Sequence, residues 1–244
     1  MHQKYILVTG SSRGIGKAIA LQFAAKGFHV FLNCRRSLDQ LSQVKEEILA
    51  GGQGGCTLVP GDVGNPDEVR RIFNTVHSIC PALDVLVNNA GISHTGLLID
   101  MTDDEWDTLL AGCLSSAFYC SREALKHMVT AKSGRIINIS SMWGTCGASC
   151  EAAYSAVKSG MNGLTRALAK EYAPSGIAVN AIACGAVDTE MNHHLSPEER
   201  ASLAYEIPAG RFGTTEEIAR LVWNIADSPA YMTGQVIGID GGYI

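Results

Sequence analysis

The chain has 244 residues, 46% of them hydrophobic, with 26 glycines and a formal net charge of −5. That length allows one domain with a full core, and that composition excludes a disordered or collagen-like chain. The acidic balance offers no basic stripe to nucleic acid, and no apolar run approaches the roughly 20 residues that span a bilayer.

In chain order, short apolar runs alternate with amphipathic stretches of helical length. YILVTG precedes GKAIALQFAAKG, HVFLNC precedes LDQLSQVKEEILAGG, and CTLVPGDV precedes PDEVRRIFNTVHSI. LDVLVNNAG then leads to a longer helix around Glu105 to Cys120, RIINISS to a Gly-rich turn and a helix from Tyr154 to Tyr172, and IAVNAIACG to a polar helical segment and GQVIGID. Asn65 before Pro66, and Ser196 before Pro197, read as helix caps followed by a proline in the first turn. Continuous apolar strands separated by helices predict a parallel sheet covered on both faces. The expectation is a single α/β domain over 1–244, doubly wound and of Rossmann type, with seven strands.

Eight cysteines, at 34, 56, 80, 113, 120, 146, 150 and 184, form no CxxC pair. With an N-terminus that enters a strand without a long apolar leader, they suggest a cytoplasmic protein in a reducing compartment. No histidine shows metal-ligand spacing. His193 and His194 fall in a polar segment and read as surface or lid residues.

TGSSRGIG, residues 9–16, joins the first strand to the first helix. Gly10, Gly14 and Gly16 permit a tight turn and close approach to a pyrophosphate at the helix N-terminus, with Ser12, Arg13 and Ile15 as the other candidate contacts. The second strand ends in VFLNCRRS, where an acid would hold the ribose 2′-hydroxyl of NAD. Cys34 stands there instead, followed by Arg35 and Arg36, which with Arg13 suit a 2′-phosphate and hence NADP(H). The same residues also fit a solvated basic turn.

Tyr154 and Lys158 are four apart, so a helix sets them on one face. A nearby ammonium lowers a phenol's pKa, which suits Tyr154 to pass a proton to a developing alkoxide. Ser141, at the C-terminal end of its strand, is placed to hold a substrate carbonyl. By itself the YxxxK spacing is equally an ordinary helix surface.

Taken together, TGSSRGIG, NNAG at 88–91, Ser141, and YSAVK beginning thirteen residues after that serine resemble the short-chain dehydrogenase/reductase family over the whole chain. The resemblance implies nicotinamide hydride transfer, with Tyr154 as acid/base, Lys158 as its activator and ribose ligand, and Ser141 as carbonyl anchor. It assigns Asp62, with Val63 beside it, to the adenine end, Asn89, Ala90 and Gly91 to the cofactor cleft, and Gly185, Val187 and Thr189 to the nicotinamide. It also implies a homotetramer paired through the helices around 105–120 and 154–172. Two positions depart from the family pattern: Cys113 replaces an asparagine that helps hold a relay water, and Cys184 replaces a proline. Cys113 is the best argument for a rival reading, a non-catalytic NADP-binding sensor.

GRFG at 210 and MTGQ at 232 resemble the 3-oxoacyl-acyl-carrier-protein reductases, whose basic docking residues correspond to Lys132 and, in this chain, Ser175. SSMWGTCGASCEAAY, GAVDTEM and EIPAGR are more similar to the elongation factor P 5-aminopentanone reductases. Trp143 and Glu151 are the candidate substrate residues on that resemblance. Glu151, one turn before Tyr154, suits a cationic amine, although a helix-start acid and a packing tryptophan explain the same residues.

Overall fold

The structure, a computed structural model, describes residues 3–192 and 195–244. The expectation for His193 and His194 lies outside the described residues. The strands are β1 (Tyr5–Val8), β2 (His29–Leu32), β3 (Gly55–Leu58), β4 (Val85–Asn88), β5 (Gly134–Ser141), β6 (Ile177–Cys184) and β7 (Val236–Ile239). They form one sheet in the order β3-β2-β1-β4-β5-β6-β7, and every pairing is parallel. This is the seven-stranded Rossmann-type arrangement the apolar strand pattern predicts.

The helices are α1 (Gly14–Ala24), α2 (Leu38–Gly51), α3 (Pro66–Ile79), α4 (Asp103–Leu110), α5 (Ser116–Ala131), α6 (Trp143–Cys146), α7 (Ala152–Tyr172), α8 (Pro197–Glu206) and α9 (Thr215–Ala226). One face of the sheet is covered by α1, α2 and α9, through Ile19, Phe23, Leu41, Val44, Ile218 and Val222. The other is covered by α3, α5 and α7, through Val69, Phe73, Cys120, Met128 and Ala169. Each helix buries one apolar stripe, the arrangement that lets a parallel sheet escape water on both sides. Among the described residues, no helix is long and apolar enough to cross a membrane.

Three expectations need correction. The helix read around Glu105 to Cys120 starts at Asp103 and continues to Ala131, interrupted by a π-helical turn at Ala111–Ser115. The Gly-rich turn after Ser141 contains the short helix α6. The single polar helical segment before the last strand is two helices, and α9 buries Ile218, Ala219, Val222 and Ile225. Its start is capped by Thr214 and Glu217 in a reciprocal capping box, a pattern legible as TTEE. Asn65 and Ser196 cap α3 and α8 as expected.

Buried asparagines interrupt the apolar strands and fix where the strands end. Asn33, after β2, donates from its side chain to the carbonyls of Val59 (3.0 Å) and Gly61 (3.1 Å) and accepts the Gly10 N–H (3.3 Å). Asn88 in β4 donates to Ser121 Oγ (3.0 Å) and to Asn138 Oδ1 in β5 (2.8 Å), and Asn138 donates to Thr165 Oγ1 in α7 (2.8 Å). These bonds tie the C-terminal halves of the strands to one another and to the helix that carries Tyr154.

Candidate active site

Because β1 is flanked by β2 on one side and β4 on the other, successive connections leave in opposite directions and open a crevice at the strands' C-terminal ends. Thr9 ties the two walls. Its hydroxyl accepts the N–H groups of Asn89 and Ala90 (2.9 Å each), and the Asn89 side chain donates to the carbonyls of Thr9 (2.9 Å) and Gly10 (3.0 Å). Gly14 has φ +54°, and a Cβ on Gly16 would overlap the Gly10 carbonyl oxygen, so the turn into α1 admits only glycine at its closest point. Ser12 is buried, and Ile15 packs on the core. No side chain caps α1 and no acid stands in its first turn, whereas α3, α4, α8 and α9 all have side-chain caps. Its first amides are left for an anion, which fits a dinucleotide pyrophosphate.

Arg35 and Arg36 follow β2 and Arg13 precedes α1, all three exposed. Arg13 Nη1 lies 3.4 Å from Ser37 Oγ, at the end of the turn that carries the other two, and 3.5 Å from Gln40 Oε1 in the first turn of α2. Arg35 pairs with Asp62 (3.4 Å), whose other oxygen accepts the Gly64 N–H (2.8 Å), so this acid shapes a turn as well as facing the crevice. Cys34 and Val63 bury their side chains in the two core clusters, leaving only backbone atoms to the crevice. Burial pushes the Cys34 thiol pKa up. On the far side Gly185 donates its N–H to Ile239, Val187 bridges to Gly213, and Thr189 lies against the glycine loop beside Gly14.

Ser141, Tyr154 and Lys158 converge where β5 and β6 end. Ser141 pairs with Cys184 in the sheet register, and its Oγ accepts the Trp143 N–H (3.2 Å), which leaves the hydroxyl hydrogen to point elsewhere. Lys158 is 4% exposed, yet its Nζ donates to the Ile139 carbonyl (2.8 Å) and lies 5.5 Å from the centre of the Tyr154 ring. Gly91 closes the pocket: a Cβ there would be 3.7 Å from Lys158 Nζ and 3.5 Å from Cys113 Sγ. A phenol, a hydroxyl and a buried ammonium thus come together at the crevice where the strands end.

A family model described as short chain dehydrogenase matches residues 4–200. The chain belongs to the short-chain dehydrogenase family. The 3-oxoacyl-acyl-carrier-protein reductase FabG of Staphylococcus aureus is 42% identical over 240 residues, covering 98% of this chain and 97% of the relative. Its counterpart from Escherichia coli is 38% identical, with coverage of 98% and 96%. The crystal structure of YwfH, an NADPH-dependent reductase involved in bacilysin biosynthesis, matches with a TM-score of 0.94 at 28% identity, covering 100% of this chain and 99% of that one.

Within this short-chain dehydrogenase the tyrosine's acidity differs from the sequence expectation. Burial pushes the Tyr154 phenol above its ordinary pKa, and the Lys158 ammonium opposes that shift without reversing it. For Lys158, burial works against the charged form and the coupling to Tyr154, Cys113 and Cys184 favours it, with the balance above the ordinary lysine value. Cys184, beside Lys158 in place of the family's proline, has its thiol pushed up to about 12 by burial and stays neutral.

Cys113 sits inside the π-helical turn, fully buried, and exchanges two bonds with one residue: Sγ donates to the Ile92 carbonyl (3.2 Å) and accepts the Ile92 N–H (3.4 Å). The thiol thereby clamps the segment after β4 to the helix. Trp143 opens α6 with its ring edge-on to Tyr243 (5.8 Å), and Glu151 is the N-cap residue of α7, close enough to Tyr154 for its charge to raise the phenol pKa.

Sequence reasoning missed Thr9, Asn33 and Gly144. Gly144 holds the helix that carries Tyr154 and Lys158: its carbonyl accepts Ser159 Oγ and Asn162 Nδ2 (2.9 Å each), and a Cβ there would press on the Lys158 backbone at 2.8 Å. The signal for Gly144 is its place in SSMWG, a glycine just past a buried strand. Among the described residues no group of three or more His, Cys, Asp or Glu side chains is arranged to hold a metal ion.

The sign of the Tyr154 shift is measurable. In the dinucleotide-free protein the tyrosinate absorbance missing from Tyr154→Phe should titrate above about 10, and Lys158→Met should move it higher by removing the opposing charge. A Tyr154 titration below about 10 would contradict the balance of burial over charge.

Proposed function

We propose that this chain is an NADP(H)-dependent reductase that converts a ketone carried on a protein to a secondary alcohol, and that the ketone is the 5-aminopentanone group of elongation factor P. The observation that carries the chemistry is the buried Lys158 ammonium beside the Tyr154 ring, with Ser141 at the adjoining strand end. The choice of NADP(H) is supported by the guanidinium groups of Arg13, Arg35 and Arg36, with no acid following the second strand where a 2′-hydroxyl would need one.

When bound, the nicotinamide supplies the hydride. Ser141 donates its hydroxyl hydrogen to the ketone oxygen and fixes the carbonyl in the crevice. Tyr154, whose raised pKa keeps it protonated at neutral pH, gives its proton to that oxygen as alkoxide charge develops. The phenolate left behind is stabilised by Lys158, which Ile139 anchors through one donor while others remain for the phenolate and a ribose hydroxyl. Cys113 holds the wall behind Gly91, and Asn89 and Ala90 fix the crevice floor through Thr9.

The substrate proposal rests on Glu151. An acid one turn before Tyr154 favours a substrate with a cationic amine near the reacting carbonyl, and Trp143 supplies an apolar wall beside it. A second reading, reduction of 3-oxoacyl groups on acyl carrier protein, is supported by the names of the 42% and 38% identical relatives. Against docking of that carrier beside its own site, Lys132 ends α5 where β5 begins, at the opposite edge of the sheet from Ser141, and its neighbour across the gap is the uncharged turn Ser175–Gly176. Eight free thiols fit a cytoplasmic reductase. A homotetramer paired through the 103–131 and 152–172 helices fits the groove between α5 and α7, where Phe118, Val129, Leu168 and Tyr172 alternate with the charged Arg122, Lys126 and Glu171.

Tyr154→Phe should lower turnover by about 100-fold or more while leaving NADPH affinity nearly unchanged; wild-type turnover in that variant would overturn the mechanism. NADPH oxidation should be far faster with elongation factor P bearing the 5-aminopentanone group than with an acetoacetyl thioester, and Glu151→Gln should raise KM for the former only. Faster turnover on the thioester would assign the chain to acyl-carrier chemistry, and silence on both would favour the sensor reading. Light scattering should give the mass of four chains, and a monomer would exclude the proposed assembly.

A further inference from the structure

Among the acids around the crevice, Glu190 is set apart by its partner. Its Oε2 lies 3.1 Å from Arg13 Nε, joining the segment after β6 to the glycine loop. The same guanidinium turns its Nη1 towards Ser37 (3.4 Å), which ends the turn where Arg35 and Arg36 stand, and towards Gln40 (3.5 Å) in the first turn of α2. One cation therefore spans two walls of the crevice, with an anion of this chain on one side and the suited place for a phosphate on the other.

The pair is built to exchange. Its side chains are 53% and 48% exposed, so water and salt weaken it, and neither partner loses much on parting. Asp62, the acid on Arg35, differs because it also accepts the Gly64 N–H (2.8 Å) and holds a turn. The nearby Asp188 is already paired with Arg200 at 2.8 Å. A phosphate offers Arg13 charge-assisted bonds that a single carboxylate contact through Nε does not match.

We propose that Glu190 is a specificity-determining residue, an internal counter-ion that competes with a dinucleotide 2′-phosphate for Arg13 and is displaced when the phosphate binds. The proposal rests on the NADP(H) reading above. A dinucleotide without the 2′-phosphate leaves the Arg13–Glu190 pair intact, so removing the carboxylate changes affinity for one dinucleotide and not for the other.

Calorimetric titration of the intact protein with NADPH and with NADH, on wild type, Glu190→Gln, Arg13→Ala and the double variant, tests this. Glu190→Gln should tighten NADPH about 2–5-fold at low salt, leave NADH unchanged, and lose its effect as ionic strength rises. In the Arg13→Ala background the same substitution should change neither affinity. Equal tightening of both dinucleotides, tightening that persists without Arg13, or no tightening of NADPH overturns the proposal while leaving an NADPH preference of the wild type standing. A wild type that binds NADH as tightly as NADPH overturns the NADP(H) reading itself, and this proposal with it.

Discussion

An ammonium ion withdrawn from water is the constraint around which the C-terminal edge of the sheet is arranged. A buried charge persists only where its donors are met and its position is fixed. Lys158 meets the Ile139 carbonyl with its side chain, while Ser140 Oγ reaches its backbone carbonyl at 3.4 Å and Gly144, in α6, leaves the room its backbone needs. Strand β5, the short helix α6 and the long helix α7 must therefore all be in register for the lysine to be held, with one ammonium donor on Ile139 and the others directed to the crevice. The same register sets Ser141 beside Cys184 and the Tyr154 ring beside the ammonium. The chemistry of the pocket is a by-product of satisfying one charge.

The crevice on the cofactor side is governed by the opposite problem, a surplus of polar backbone at strand ends. Thr9 and Asn33 solve it with side chains that imitate a neighbouring strand, each serving two or more backbone groups at once. The amides of α1 are left unmatched by any acid, and of the guanidinium groups nearby Arg13 is paired with the exposed Glu190 and Arg35 with the half-buried Asp62. Rigid backbone and exchangeable charge are thus divided between the inner and outer parts of the same site.

Much of this was legible in the chain because parallel strands buried on both faces must be continuously apolar, and glycines at a strand-to-helix turn have few other uses. The strand count and the glycine loop follow from such local patterns, whereas Ser141, Tyr154 and Lys158 stood out only when their order and spacing were read together with the glycine loop and NNAG. What was not legible depends on distant partners. Asn33, Asn88 and Asn138 look like flaws in apolar strands until the carbonyls and side chains across the sheet are known. Tyr154 acidity depends on a sum of burial and charge that spacing alone does not weigh, so the lysine's sign was readable and the net direction was not. Helix α9 was missed because polar capping residues and a preceding loop disguised a strongly amphipathic segment.

The π-helical turn at Ala111–Ser115 joins α4 and α5 into one rod with a single widened turn. A widened turn accommodates one more residue than an α-helical turn, and each residue rotates a helix by about 100°. Faces upstream and downstream are therefore phased differently from those of an uninterrupted helix; Cys113 points inward to grip Ile92, and Phe118 lies on the outer surface. The rod works as a gear between pocket and exterior. Losing one residue there would swing the whole outer face of α5 around the axis, so the pocket wall and the outward-facing surface must evolve in step.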